Sequence, residues 1–139
     1  MKTERPIYLS LTRFAWPFTA IASITHRVTG VLLVAGVGYL LWLVSMALAS
    51  QAGFEAAQSL LAAPLAKLLM IAVIAALLYH LLAGIKHIFM DFHVGDSFAA
   101  AKASSAVVFV LTAIATLAVG VWLWSVSYTH LRAHETYLL

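Results

Sequence analysis

The sequence predicts an all-α integral membrane protein with three transmembrane helices. Composition is the first reason: of 139 residues, 64% are hydrophobic and 9% charged, and the mean hydropathy is +1.01. A soluble globular domain is roughly half apolar and a quarter charged. The second reason is three stretches without Asp, Glu, Lys or Arg: Val28–Phe54 (27 residues), Leu68–Ile85 (18) and Ala103–Leu131 (29). About 20 apolar residues cross the ~30 Å hydrocarbon core of a bilayer, so each stretch suffices for one span. The third is that only two short connectors, "SQAGFEAAQSLLAAP" and "DFHVGDSFAAAKASS", separate them, with no repeat, linker or second domain.

Taken in order, the spans are expected near residues 22–50, 65–89 and 103–124, within one anchor domain over 1–124. Gly30, Gly36 and Gly38 lie in the first, Gly84 in the second and Gly120 in the third; such small residues let membrane helices approach closely. Trp42 near one end of the first span, and Trp122 and Trp124 closing the third, suit the aromatic belt. Lys2, Arg5, Arg13 and Arg27 precede the first span, and Lys86 and Lys102 flank the second connector, against Lys67 alone on the other side. The positive-inside rule then places the N-terminus and the second connector in the cytoplasm of a multi-pass inner-membrane protein. The N-terminal residues show no secretory signal: basic residues are present, but no apolar run ending in a small-residue cleavage site.

After Trp124 the composition changes to "SVSYTHLRAHETYLL". One reading is a polar periplasmic tail. The preferred one is that "VSYTHLRAHET" is a reading frame of a transposase sequencing adapter, CTGTCTCTTATACACATCT running into CCGAGCCCACGAGAC. Residues 125–139 are then a non-native tail, and His130, Arg132, His134 and Glu135 carry no function.

There is no cysteine, which excludes disulfides, thiolate metal sites and cysteine nucleophiles. No glycine-rich phosphate loop, carboxylate pair or zinc motif points to hydrolytic or nucleotide chemistry, and nothing points to a nucleic-acid partner. The chemistry sits in a few polar residues at the span ends. Ser23 and Arg27 are four apart, on one helix face and about 6 Å apart along the axis. A hydroxyl and a guanidinium there can bond the carbonyl oxygen of a small ligand; the alternative is a capping serine and an arginine reaching for lipid headgroups. His80, within "LLYHLLAGIKHIF", lies six residues before Lys86, about 9 Å inward of it. An ionisable group at that depth is functional by default, and neutral imidazole is the usual protein ligand of haem iron; the alternative is a bond to a neighbouring helix. Gly84, one turn on, leaves room for a flat macrocycle. His87 is two turns from His80, about 10 Å nearer the cytoplasm, and with His26 and Arg27 can form a cationic cluster for haem propionates. His26, His87 and His93 all read as boundary residues, so for a haem with two histidine ligands the second axial imidazole would have to come from another subunit. Tyr79 is expected to pack, and Asp91 and Asp96 to be solvated loop charges.

"RPIYLSL", "TAIASITHRVTGV" and "YHLLAGIKHIFMDF" together resemble the cytochrome b subunit, or large membrane anchor, of bacterial succinate dehydrogenase. The resemblance runs from Arg5 to about Trp124, and the paired motifs S-x-x-H-R-x-T/S-G and H-x-x-x-G-I-K/R-H-x-x-x-D carry it. It implies that Ser23 and Arg27 line a ubiquinone site, that His80 is an axial ligand of haem b, and that His26 and His87 lie near the haem propionates. Asp91 matches the acidic residue ending the second motif, and Lys86 stands where many relatives carry arginine. It further implies a second small anchor subunit supplying the other axial histidine and packing with this chain into one helical bundle. An iron–sulfur subunit and a flavoprotein carrying FAD would dock on the cytoplasmic side, so this chain is not catalytic alone. A fumarate reductase anchor, a haem-free anchor and a non-catalytic membrane scaffold remain the alternatives.

Overall fold

The computed structural model describes the backbone of residues 16–136 and the side chains of residues 16–125. Lys2, Arg5 and Arg13, and the tail side chains His130, Arg132, His134 and Glu135, lie outside the described residues. Four helices follow one another: α1 (Phe18–Ala49), α2 (Gln51–Ala62), α3 (Pro64–Asp91) and α4 (Phe98–Thr136). Three carry segments long and apolar enough to cross a membrane: Phe18–Ala49, Pro64–Asp91 and Phe98–Ser125. Helices are required there because hydrocarbon offers no partner for an unbonded amide. α1 and α4 start a few residues before the spans expected for them and α3 one residue before, since helix geometry continues beyond the apolar core. α4 also runs through the change of composition at Trp124 without a break.

The punctuation between helices is local. Ser50 caps α2, its Oγ accepting from the Gly53 amide at 3.0 Å, and Gln51 donates to Glu55 one turn on at 3.0 Å. The first connector is therefore largely a helix of its own. Pro64 stands at the start of α3, where its missing N–H costs nothing. After Asp91 the chain turns through two left-handed residues, His93 (φ 61°) and Gly95 (φ 72°). Ser97 then accepts from the Ala100 amide at 3.3 Å and opens α4.

α3 is the central helix: it packs against both α1 and α4, which touch each other less, while α2 folds back on α1 and α3. Tyr79, Ala83 and Val108 form the small buried core, with Leu82 and Phe109 against it. At most 17% of any span is buried within the chain, so its apolar surface has to be covered by lipid or by other subunits. Up–down–up connectivity brings the start of α1, the end of α3 and the start of α4 to one end of the bundle. Arg27, Lys86, His87, Asp91 and Lys102 gather there. At the other end Lys67 lies over the Trp124 ring, 5.7 Å from its centroid, a contact that ties α3 to α4.

Candidate functional site

The site lies between α1 and α3, and glycines set its register. A Cβ on Gly30 would come 2.9 Å from His80 Cε1, one on Gly84 would stand 3.6 Å from His26 Nε2, and one on Gly36 would meet Val73 at 3.0 Å. Gly30 therefore sits level with His80, and His26 with Gly84. One turn, about 6 Å, separates the two histidines along the bundle.

The imidazole side chains close that gap. The His26 and His80 rings stack with centroids 4.1 Å apart and planes 17° apart. His87 is tilted against the other side of the group, 5.3 Å from His26. His26 is thus the middle ring of three, where its spacing had placed it at the boundary with His87. A side-by-side stack does not put two imidazoles on opposite sides of one metal ion, so His26 and His80 are not arranged to share one.

His80 is half-buried and held by one edge. Its Nδ1 lies 3.0 Å from the His26 carbonyl, and the Thr29 hydroxyl is 3.4 Å away. A carbonyl can only accept, so Nδ1 carries the proton and Nε2 keeps its lone pair. Thr29 is buried and donates its own hydroxyl back to the carbonyls of Thr25 and His26, both at 2.9 Å. This is the arrangement metal-binding histidines use, with one nitrogen oriented by a carbonyl and the other left for the metal. His26 Nε2 is buried without a hydrogen-bond partner. Among the described residues no three His, Asp or Glu side chains converge on a metal ion. An apolar groove of about 260 Å³ over Gly36, Val73 and Ala76 begins one turn beyond His80.

Ser23 and Arg27 share a face of α1 one turn apart, Ser23 half-buried and Arg27 exposed. Ser23 does not cap the helix, because α1 begins at Phe18 after Pro17. Lys86 belongs to a different place, a groove between α3 and α4 with Leu82, Phe89, Ser104 and Val108, and does not join the histidines. Asp91 is exposed, and Asp96 lies 3.4 Å from His93 in the α3–α4 turn. Two participants were not singled out from the sequence: Thr29, and the Tyr79 hydroxyl, which donates to the Ala22 carbonyl at 2.9 Å; Gly30 was expected only as a site of close helix approach. Thr29 and Gly30 do stand in the "HRVTG" run, so the motif itself was the available signal.

The family model for the succinate dehydrogenase/fumarate reductase transmembrane subunit matches residues 1–119. The chain belongs to this family. It is 38% identical over 125 residues to the succinate dehydrogenase cytochrome b556 subunit of Coxiella burnetii (strain RSA 493 / Nine Mile phase I), covering 89% of this chain and all of that protein. It is 36% identical over 88 residues to the subunit of the same name from Paracoccus denitrificans, covering 63% of this chain and 68% of that one. Membership makes the chain the membrane anchor of an oxidoreductase complex, a subunit that is not catalytic alone. Of the motifs that suggested the family, "TAIASITHRVTGV" and "YHLLAGIKHIFMDF" meet at the α1–α3 contact, and "RPIYLSL" lies outside the described residues.

Proposed function

We propose that this subunit binds haem b between itself and a second small anchor subunit and forms part of the ubiquinone-reduction site of a succinate dehydrogenase. The observation that carries the reading is His80: a half-buried imidazole deep in a span, its Nδ1 tied to the His26 carbonyl, the bond by which metal-binding histidines orient the other nitrogen. The residues fit a haem. Gly30 and Gly84 keep both imidazole edges clear, and His26 Nε2 is a buried nitrogen without a partner, which when protonated could donate to a propionate. When bound, the haem supplies a one-electron carrier within the membrane.

The chain's own residues then divide the work. His80 offers Nε2 to the iron, and its bond to the His26 carbonyl fixes the tautomer and makes the ligand more basic. His26, His87 and Arg27 hold the propionate side. Ser23 and Arg27 donate to the quinone carbonyl oxygen, and the guanidinium stabilises the negative charge that builds there on reduction. The flavoprotein with FAD and the iron–sulfur subunit with its clusters would supply the electrons from succinate at this end. The positive-inside bias puts the Arg27 end in the cytoplasm, where those soluble subunits dock.

The test is a succinate-reduced minus oxidised absorption spectrum of the purified complex, wild type beside His80→Ala. The expected result is a b-type band in the wild type that is lost or shifted in the variant. An intact complex with identical spectra removes His80 as the ligand. A wild-type complex without any haem band makes this a haem-free anchor.

A further inference from the structure

Tyr79 has a use beyond packing. It is 4% exposed, and its ring lies against Phe109 at 4.9 Å, which in turn meets Phe18 at 5.6 Å. Its hydroxyl crosses to α1 and donates to the Ala22 carbonyl at 2.9 Å. One residue further, His80 Nδ1 donates to the His26 carbonyl at 3.0 Å. Two consecutive residues of α3 therefore grip two carbonyls of α1 that stand four residues, one turn, apart. The turn between them carries Ser23, and Arg27 follows it directly. Each bond is additional to the helix ladder: the Tyr79 hydroxyl takes the second lone pair of the Ala22 carbonyl, and His80 shares the His26 carbonyl with the Thr29 hydroxyl. In hydrocarbon no water replaces either one.

We infer that Tyr79 is a positioning residue for the quinone site, its hydroxyl setting the height and rotation of the Ser23–Arg27 turn against α3. This inference rests on the reading that Ser23 and Arg27 bind the quinone. Tyr79 acts through Ala22 and not on the substrate. Removing its hydroxyl leaves the His26–His80 bond and the close approaches at Gly30 and Gly36 in place, so the helices stay packed. One of two pins is gone, and α1 swivels about the other. Two donors aimed at one substrate oxygen do not tolerate that swivel, since hydrogen bonds weaken steeply with length and angle. A misplacement of ~1 Å costs as much as ~100-fold.

The test uses the assembled complex carrying Tyr79→Phe, which keeps the ring and its contact with Phe109. KM for a water-soluble short-chain ubiquinone is expected to rise by about threefold to tenfold, the factor one net hydrogen bond is worth. Equilibrium binding of the same quinone should weaken equally, while succinate oxidation by a soluble dye stays at the wild-type rate. Replacing Tyr79 by 4-aminophenylalanine restores a donor and should return KM toward the wild-type value. Phe109→Leu loosens the ring contact, keeps the hydroxyl, and should leave KM unchanged. An unchanged KM in Tyr79→Phe overturns the inference, as does an equal rise in Phe109→Leu or a parallel loss of the dye-linked rate. Arg27→Ala assayed alongside separates this from the underlying reading. If Arg27→Ala leaves quinone reduction intact, the quinone site lies elsewhere. If it impairs quinone reduction and Tyr79→Phe does not, the site stands and the positioning role falls.

Discussion

Gly30→Ala adds one methyl group at the point where α1 meets His80. The new Cβ would stand 2.9 Å from His80 Cε1 and 3.4 Å from Nδ1, whereas ordinary carbon–carbon contact lies near 3.5–4.0 Å. The ring has to retreat by roughly 0.6–1 Å, and it is not a free side-chain end. His26 stacks on one face at 4.1 Å, and the His26 carbonyl holds Nδ1 at 3.0 Å. A retreat of that size takes the bond to about 3.6–4 Å, beyond hydrogen-bonding distance. Overpacking of this kind costs about 1–3 kcal/mol, a factor of about 5–150 in an equilibrium constant. The assay is haem content per assembled complex, followed by the rate of haem loss on warming. Gly38→Ala is the control, because a Cβ at Gly38 meets nothing within 4 Å and alanine is the better helix former. The expected outcome is weakened haem retention and a shifted b-type band for Gly30→Ala, with Gly38→Ala like the wild type. Full haem content and an unshifted band in Gly30→Ala would refute the placement of His80 against α1.

Two further outcomes follow from the same contacts. Arg27→Ala should slow quinone reduction by about 10- to 100-fold, the worth of a charged hydrogen bond, and leave dye-linked succinate oxidation near the wild-type rate. Arg27→Lys should recover part of the loss, since charge returns without the fork; equal loss of both activities in Arg27→Ala would indicate failed assembly instead. Gly53→Ala drives a Cβ into the Met46 carbonyl. Backbone cannot yield as a side chain can, so the α1–α2 corner should open. Lower thermal stability of the complex with unchanged haem spectrum is the expected signature, and wild-type stability would contradict the geometry of that corner.

Much of this protein was legible in its sequence. The three spans follow from transfer free energies that add residue by residue along an apolar run, so no tertiary contact was needed to place them. The "SITHRVTGV" and "YHLLAGIKHIF" runs also sufficed to single out Ser23, His26, Arg27, His80 and His87 as candidates, because short spacings within one helix fix which residues share a face. α2 was missed. Its Ala-rich polar run carries no span-length signal, although Ser50 as cap and Pro64 at the next helix start mark its ends.

What the sequence alone could not decide is how α1 lies on α3. Depth along each helix paired His26 with His87. The structure keeps His87 against His26 and also stacks His26 on His80, because Gly30, Gly36 and Gly84 bring the backbones together at a register no single-helix pattern reports. The same register turned Tyr79 from a packing residue into a donor to Ala22. Periodicity specifies the faces of a helix; which atoms meet across two helices depends on close approach between residues more than fifty positions apart, and only the packed bundle determines that.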